Sequence, residues 1–382
     1  MKSELIDKEQ KAMIVLDVHL DNFYAFRHFH MNMTYPKKIV DSSIPEEHMA
    51  NRPNFRYKKV NVIMGANASG KTSLGRMLMN IFNFMAKMNL GVLLDAIDDH
   101  NKPAFFALDL ASEEYKLYRV ACTISPMEGK TYNPSNVELE IRVGDIRPRD
   151  SYETCVARMM AAPYTPAGGF LEELKRIDLL DWMFEYPQDG KRVLRLPNQD
   201  KIFCLVLEHL LKVLDPSIQK VVLSQDVNNA YVVHFSNRSV VLQNGENFDT
   251  NLLSSGTKEG VEVACILSAL LQRRYSFYYC DEKFSYVHSE VEKAVLSLMI
   301  HRLSPNQQLF FTSHNTDILT MDLPKHTFTF LRKNADNLEC PITCIDASSL
   351  LKRSTDSLKN AVENDLFSAL PSVAPIYEIA YI

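Results

Sequence analysis

The residues Gly65-Ala66-Asn67-Ala68-Ser69-Gly70-Lys71-Thr72 fit the pattern G-x-x-x-x-G-K-[ST]. That pattern suits the holding of phosphate. Glycines let the backbone curl until successive N–H groups face one anion. A helix beginning at the loop adds the positive end of its dipole. Lys71 is placed to reach the outer phosphates, and Thr72 offers a hydroxyl to Mg²⁺, with Ser73 beside it at the helix start. The flanks agree. Lys59 to Met64 is a β-branched run that reads as a buried strand, and Ser73 to Phe82 has apolar residues at helical spacing, reaching about Met88.

Three further stretches carry chemistry later in the chain. Leu253-Ser254-Ser255-Gly256-Thr257-Lys258-Glu259-Gly260 opens a helix through Leu267, so Ser254 and Gly256 form a second anion-binding helix end. Taken alone, such residues more often only cap a helix. Ser276 to Glu282 is an apolar strand ending in two acids. Asp281 would hold Mg²⁺ through water, and Glu282 would orient or deprotonate an attacking water. Gln308 to Asn315 is another apolar strand, and His314 at its carboxyl end can reach a terminal phosphate or its attacking water.

The elements that must position these groups can be read in outline. Residues 13 to 35 form a strand pair, and 36 to 57 read as a loop. Strands follow at Ala104–Leu108, Tyr115–Val120 and Val137–Val143, the last alternating with period two. Residues 148 to 246 announce no chemistry. They read as a mostly helical insert, with helices over Phe170–Phe184 (carrying Trp182) and Lys201–Leu214 and a hairpin of Val221–Leu223 with Tyr231–Phe235. No heptads run through it. The tail carries an amphipathic helix over Leu358–Phe367. Its apolar end, Ile376 to Ile382, is expected to dock on its own domain or on a partner.

Composition bounds the function. The chain has 382 residues, 46% hydrophobic and 23% charged, which suits a globular protein with a sizeable core. A formal charge of −5 argues against attachment to nucleic acid by bulk charge. The start, Met1 to Asp7, has no apolar signal-peptide core, and the apolar run Val261–Leu271 is too short for a bilayer. Seven scattered cysteines suit reduced thiols in the cytoplasm, and Cys340 with Cys344 lacks the second pair that a zinc site needs.

The order of motifs resembles the ATP-binding-cassette (ABC) ATPase heads, in which they are the Walker A, signature, Walker B and switch-histidine motifs. Asp21-Asn22-Phe23-Tyr24-Ala25-Phe26 looks like the Asn-Phe-x-x-Phe opening of the SMC, RecF and OLD-like branch. The resemblance implies an α/β P-loop NTPase with an ABC-type head, a mixed sheet plus an antiparallel β lobe. Residues 1–147 would be the first half of the head, 148–246 the insert or lid, 247–330 the second half and 331–382 a partner-facing tail. It implies ATP and Mg²⁺ as cofactors and a homodimer or higher homo-oligomer. Ser254 and Gly256 of one subunit would face the γ-phosphate of ATP held by Lys71 and Thr72 of the other, with hydrolysis through Glu282 and His314.

Within the branch, Ser254 to Gly260 and Asp281 to His288 look like the stand-alone ATP-binding proteins of bacterial abortive-infection and phage-defence systems, of the AbiL-like or PARIS AriA-like kind. Their OLD-like relatives often carry a histidine where His288 stands. That resemblance implies a separate effector, a nuclease or toxin, with phage protein or DNA as trigger. No acidic Toprim nuclease constellation precedes Ile382. The alternative is a RecF- or SMC-like repair ATPase that clamps DNA. Its basic stripe would draw on Arg147 with Arg149, Lys191 with Arg192 and Arg195, and Arg273 with Arg274. A glutamine of the Q-loop type cannot be placed between Thr72 and Val143.

Overall fold

The computed structural model describes residues 10–39, 42–126, 134–177, 179–186, 195–245, 253–284, 287–334, 336–353, 356–368 and 374–379. Lys191 and Arg192, Ser285 and Tyr286, and the end Ala380 to Ile382 lie outside them.

The chain opens with β1 (Met13–Asp21) and β2 (Phe29–Asn32), then β3 (Val60–Met64), buried throughout as its apolar run requires. Helix α1 (Lys71–Lys87) buries Leu74, Met77, Leu78, Ile81 and Phe82 along one stripe and ends at Met88 in left-handed conformation. Strands β4 (Ala104–Ser112), β5 (Lys116–Ile124) and β6 (Val137–Asp145) follow. Helix α2 (Tyr152–Ala161) is capped by Ser151 and α3 (Lys201–Leu214) by Asp200, each side chain accepting from first-turn N–H groups. Strands β7 (Ile218–Leu223), β8 (Ala230–Phe235) and β9 (Ser239–Gln243) precede α4 (Ser255–Leu271). The chain continues through β10 (Phe277–Asp281), α5 (Ser289–Arg302), β11 (Gln308–Ser313), β12 (Phe328–Lys333) and β13 (Ile342–Asp346).

These elements form two compact units, one of residues 1–182, 276–279 and 305–382, the other of 183–275 and 280–304. The first holds two sheets. In one the order is β10-β11-β3-β12-β13, with β3 parallel to both β11 and β12 and β13 antiparallel at the edge. The other is an antiparallel lobe of order β2-β1-β4-β5-β6. This mixed α/β architecture, a P-loop strand inside a largely parallel sheet with an antiparallel lobe, is the fold class expected from the sequence. The second unit packs α3 against α4 beside the antiparallel sheet β7-β8-β9. A Cβ at Gly260 would overlap Leu214 and lie 3.0 Å from Leu211, so glycine lets those two helices approach.

One buried side chain binds the two sheets of the first unit at three backbone groups. Gln308 is fully buried at the start of β11. Its amide accepts from Val15 N at 2.6 Å and donates to Val15 O and Lys58 O, both at 3.0 Å. Val15 lies beyond the last β2 partner, where Asp17 pairs with Asn32, and next to a bulge that separates Val15 from Asp17. The glutamine thus stands in for a missing strand residue.

Several segments differ from the sequence reading. Residues 36 to 57 contain a small hairpin, His48–Met49 with Arg52–Arg56. The helix expected over Phe170–Phe184 stops after Phe170–Glu173 and a 3-10 turn at Leu174–Arg176. Asp181 instead takes the Phe277 N–H on its carbonyl (3.3 Å) and the Ser276 N–H on its carboxylate (2.7 Å), so Trp182–Glu185 runs as a strand. Edge pairing with β10 overrides the helical spacing, and Trp182 packs on Phe82 at 5.6 Å. Among the described residues the insert thus carries more strand than the sequence suggests, with β9 added to the expected hairpin. The tail helix covers only Leu358–Glu363, because Asp365 turns left-handed and sends Phe367 to stack on Phe330 at 4.0 Å. Ile376, Tyr377 and Ile379 are exposed, so these residues are not docked on their own chain. No helix among the described residues is long and apolar enough to cross a membrane.

Replacing Gln308 by leucine strands three buried backbone groups, each costing about 1–3 kcal/mol when left unpaired. We expect Gln308→Leu to lower the denaturation midpoint by more than any exposed substitution on β11–β13, as measured by circular dichroism.

Candidate phosphate-binding site

The phosphate loop leaves β3 at Met64 and is pressed against the strands beyond it. A Cβ at Gly65 would lie 2.5 Å from Leu331 O and 2.6 Å from Ser69 Oγ. Ala68 (φ +62°) and Gly70 (φ +105°) both take left-handed backbone, and a Cβ at Gly70 would also meet Ile342 at 2.9 Å. These turns curl Ala66, Asn67, Ala68 and Ser69 into a concave ribbon, with Asn67 and Ala68 exposed. Gly70 is the N-cap of α1 and brings no capping side chain, and no acid stands in the first turn. The helix therefore presents its dipole end to the loop without a built-in anion.

Lys71 is 4% exposed. Its ammonium folds back over the loop, donating to Gly65 O at 2.8 Å and Ala66 O at 3.2 Å. The start of α1 is fixed from β10, whose Tyr279 hydroxyl donates to Lys71 O at 2.6 Å. A Cβ at Gly75 would overlap the Tyr279 ring, so the helix lies on the sheet only because that residue is glycine. Thr72 and Ser73 are half-buried on the first turn.

His314 reaches the same edge by a different route. Ser313, the last residue of β11, pairs in register with Met64, the last of β3. His314 and Gly65 are thus the next residues on neighbouring parallel strands. Asn315 N donates to Ser313 Oγ at 3.0 Å and Asn315 Oδ1 accepts from Asp317 N at 3.0 Å, a turn that holds the exposed histidine at the strand end.

The remaining expected residues lie in the second unit. Ser254 caps α4, its hydroxyl accepting from Thr257 N at 3.1 Å. Ser254 and Ser255 are exposed and Gly256 is half-buried, so this helix end faces outward. Asp281 is fully buried at the end of β10. Glu282 follows at φ +45°, a left-handed position that costs energy for a non-glycine residue. Burial pushes the neighbouring Cys280 thiol well up, so it stays protonated. Lys283, 1% exposed, donates to Tyr186 O and to Glu262 of α4 at 2.6 Å. That bond ties the segment after the two acids to the helix that begins at Ser254. His288 caps α5 by accepting from Glu290 N at 3.2 Å, a structural use. The seven cysteines are unbridged, and burial pushes the Cys344 thiol up to about 12.

The donor set fits a nucleotide phosphate chain with its metal. The loop is concave, α1 is uncapped, and the Ser69 hydroxyl is buried with no hydrogen-bond partner. Lys71 supplies charge, and the Thr72 hydroxyl is an oxygen donor of the kind Mg²⁺ takes. Sequence reasoning missed Gly75, Tyr279 and Lys283. The only signal for the first two was a glycine on the buried face of a helix and a pair of tyrosines inside a buried strand.

No protein-family model matches the sequence, and no curated protein does. The chain is similar in structure to the SMC head domain from Thermotoga maritima, at 12% identity and TM-score 0.43 over 87% of this chain and 98% of that one. It is also similar to the Smc head domain derived from Pyrococcus furiosus, solved bound to the C-terminal domain of ScpA, at 10% identity and TM-score 0.49, covering 89% and 98%. The recombination mediator protein RecF shows 11% identity and TM-score 0.43, covering 85% and 97%.

Gly75→Val is expected to destabilise the fold by about 1–3 kcal/mol through overpacking on Tyr279. It should also weaken nucleotide binding, because α1 and its N-terminus must lift. Tyr279→Phe keeps the ring and loses one hydrogen bond, about 1 kcal/mol. Thermal melts with and without ATP would separate the two effects.

Proposed function

We propose that the chain is an ATP-binding and ATP-hydrolysing head that works in pairs and controls a separate effector, in the manner of bacterial anti-phage ATPases. The observation that carries the reading is the form of the phosphate loop: left-handed Ala68 and Gly70, an uncapped α1, and Lys71 held over the loop carbonyls. Gly65 to Ser73 would bind the phosphates, and Thr72 and Asp281 would hold Mg²⁺. The metal, when bound, draws charge from the phosphates during transfer. Glu282 would take the proton of the attacking water, and His314 would contact the terminal phosphate. The outward-facing end of α4 at Ser254 and Gly256 supports pairing, since an exposed helix N-terminus is suited to a phosphate carried by another subunit. ATP then joins two heads, and its hydrolysis loosens them.

The defence role rests on the resemblance of Ser254 to Gly260 and on the compact second unit, whose longest described helix, α4, has 17 residues and forms no coiled-coil arm. The exposed Ile376, Tyr377 and Ile379 suit an effector-facing tail at 331–382, beside a partner-facing insert at 148–246. A DNA-clamping role is less supported. Arg274 is held by Asp200 at 2.5 Å and by Gln272, which removes it from a basic stripe.

Glu282→Gln is expected to bind ATP while turning over at least about 100-fold more slowly, the usual contribution of a general base. It should accumulate as the ATP-bound pair in light scattering, whereas Lys71→Ala should remain unpaired with ATP. Normal turnover by Glu282→Gln would remove that residue from the mechanism. Purification with its neighbouring gene products tests the role: a nuclease-like companion supports the defence reading, and an ATP-dependent shift onto DNA favours the clamp.

A further inference from the structure

The antiparallel lobe carries a second set of chemistry-bearing residues that the nucleotide site does not use. His19 on β1 and His30 on β2 are directly opposite in register, and so are Asp17 and Asn32 two residues along. Period-two alternation puts all four on one face. The imidazoles stack at 4.1 Å with an interplanar angle of 8°. Both turn Nε2 toward the same atom, Asp17 Oδ1, at 3.5 Å from His19 and 2.7 Å from His30. The other oxygen, Oδ2, is engaged from behind by Asn32 Nδ2 at 3.0 Å, with the Tyr152 hydroxyl at 3.2 Å.

Asp17 is one of two neighbouring acids in this lobe. The β1 bulge sets Asp17 directly opposite Asp109 of β4, and both carboxylates are buried. Like charges so placed repel. Arg119 of β5 answers only one of them, gripping Asp109 with bonds of 2.7 and 2.6 Å. Tyr152 has a single hydroxyl proton, and its shorter contact, 2.7 Å, is also to Asp109. Among the described residues no lysine or arginine pairs with Asp17. The one forward oxygen of this buried carboxylate thus faces two imidazole nitrogens and, among those residues, no other cationic side chain.

We propose that Asp17, His19 and His30 form a binding site for a divalent transition-metal ion of the zinc type. Two imidazoles and one carboxylate oxygen are a donor set for zinc and its neighbours and not for Mg²⁺ or Ca²⁺, which take oxygen. One donor atom from each residue lies within 4.8 Å of the others. Around tetrahedral zinc, with bonds of about 2.0–2.2 Å, donors stand about 3.3 Å apart, so a small tilt of the rings closes the set. The rings are free to tilt, since their side chains are 43% and 48% exposed. The same exposure leaves a fourth position to water. Asn32 and Tyr152 hold the ligating carboxylate as outer partners commonly do. The ion would staple the short edge strand β2 to β1.

The test uses the full chain, stripped with chelator and titrated with Zn²⁺ by calorimetry, and with Co²⁺ by visible absorption. One equivalent of zinc should bind without nucleotide and raise the thermal midpoint. His19→Ala and His30→Ala should each weaken it at least about tenfold, and Asn32→Ala by about 10-fold through the carboxylate it positions. These exposed imidazoles can be removed without harm to the fold, which circular dichroism of the stripped variants checks. Cys340→Ser should leave binding unchanged. Absence of a stoichiometric equivalent overturns the proposal. So does zinc that binds the histidine variants as tightly as the wild type, or that is lost in Cys340→Ser.

Discussion

The position of α1 depends on one close approach. Gly75 lets the helix settle against the Tyr279 ring, and the hydroxyl of that ring then holds the carbonyl of Lys71. The helix N-terminus, the lysine and the hydroxyl of Thr72 all belong to this first turn. A methyl group at position 75 would move the three together. The loop is fixed from the other side by Gly65 and Gly70, whose missing Cβ atoms make room for Leu331 O and Ile342. Glycine thus serves here less for flexibility than for contact.

The sequence made the chemistry legible where residue type and local order coincide. The loop from Gly65 to Thr72, the strand ending at Asp281 and the strand ending before His314 could all be placed, because buried parallel strands read as short apolar runs bounded by polar ends. One capped helix was equally legible, since α3 begins and ends where its periodicity says, whereas the capped helices α2 and α5 were not read. The failures share one physical origin. Asp181 and Trp182 left their helical pattern because a strand far away in sequence offered hydrogen bonds. Asp365 broke the tail helix so that Phe367 could reach Phe330. Gly75 and Tyr279 carry only a faint local signal, since their importance is a distance between two elements.

The second unit shows the same dependence on distant partners. Lys283 follows the two acids directly and is almost fully buried, which for a lysine demands compensation. Glu262 and the Tyr186 carbonyl supply it. An acidic strand end and an outward-facing helix start, separate in sequence, are thereby held in one piece. Gly260 on the same helix admits Leu211 and Leu214, so packing and charge fix α4 together.

The amide of Gln308 has a mechanical consequence. It grips both backbone groups of Val15 and the carbonyl of Lys58 at the moment the chain enters β11. The antiparallel lobe and β11 therefore behave as one lever. A displacement at its far tip, where His314 stands, would be carried along a fully buried strand toward β1. The lobe is thus coupled to the strand end through three hydrogen bonds of one amide.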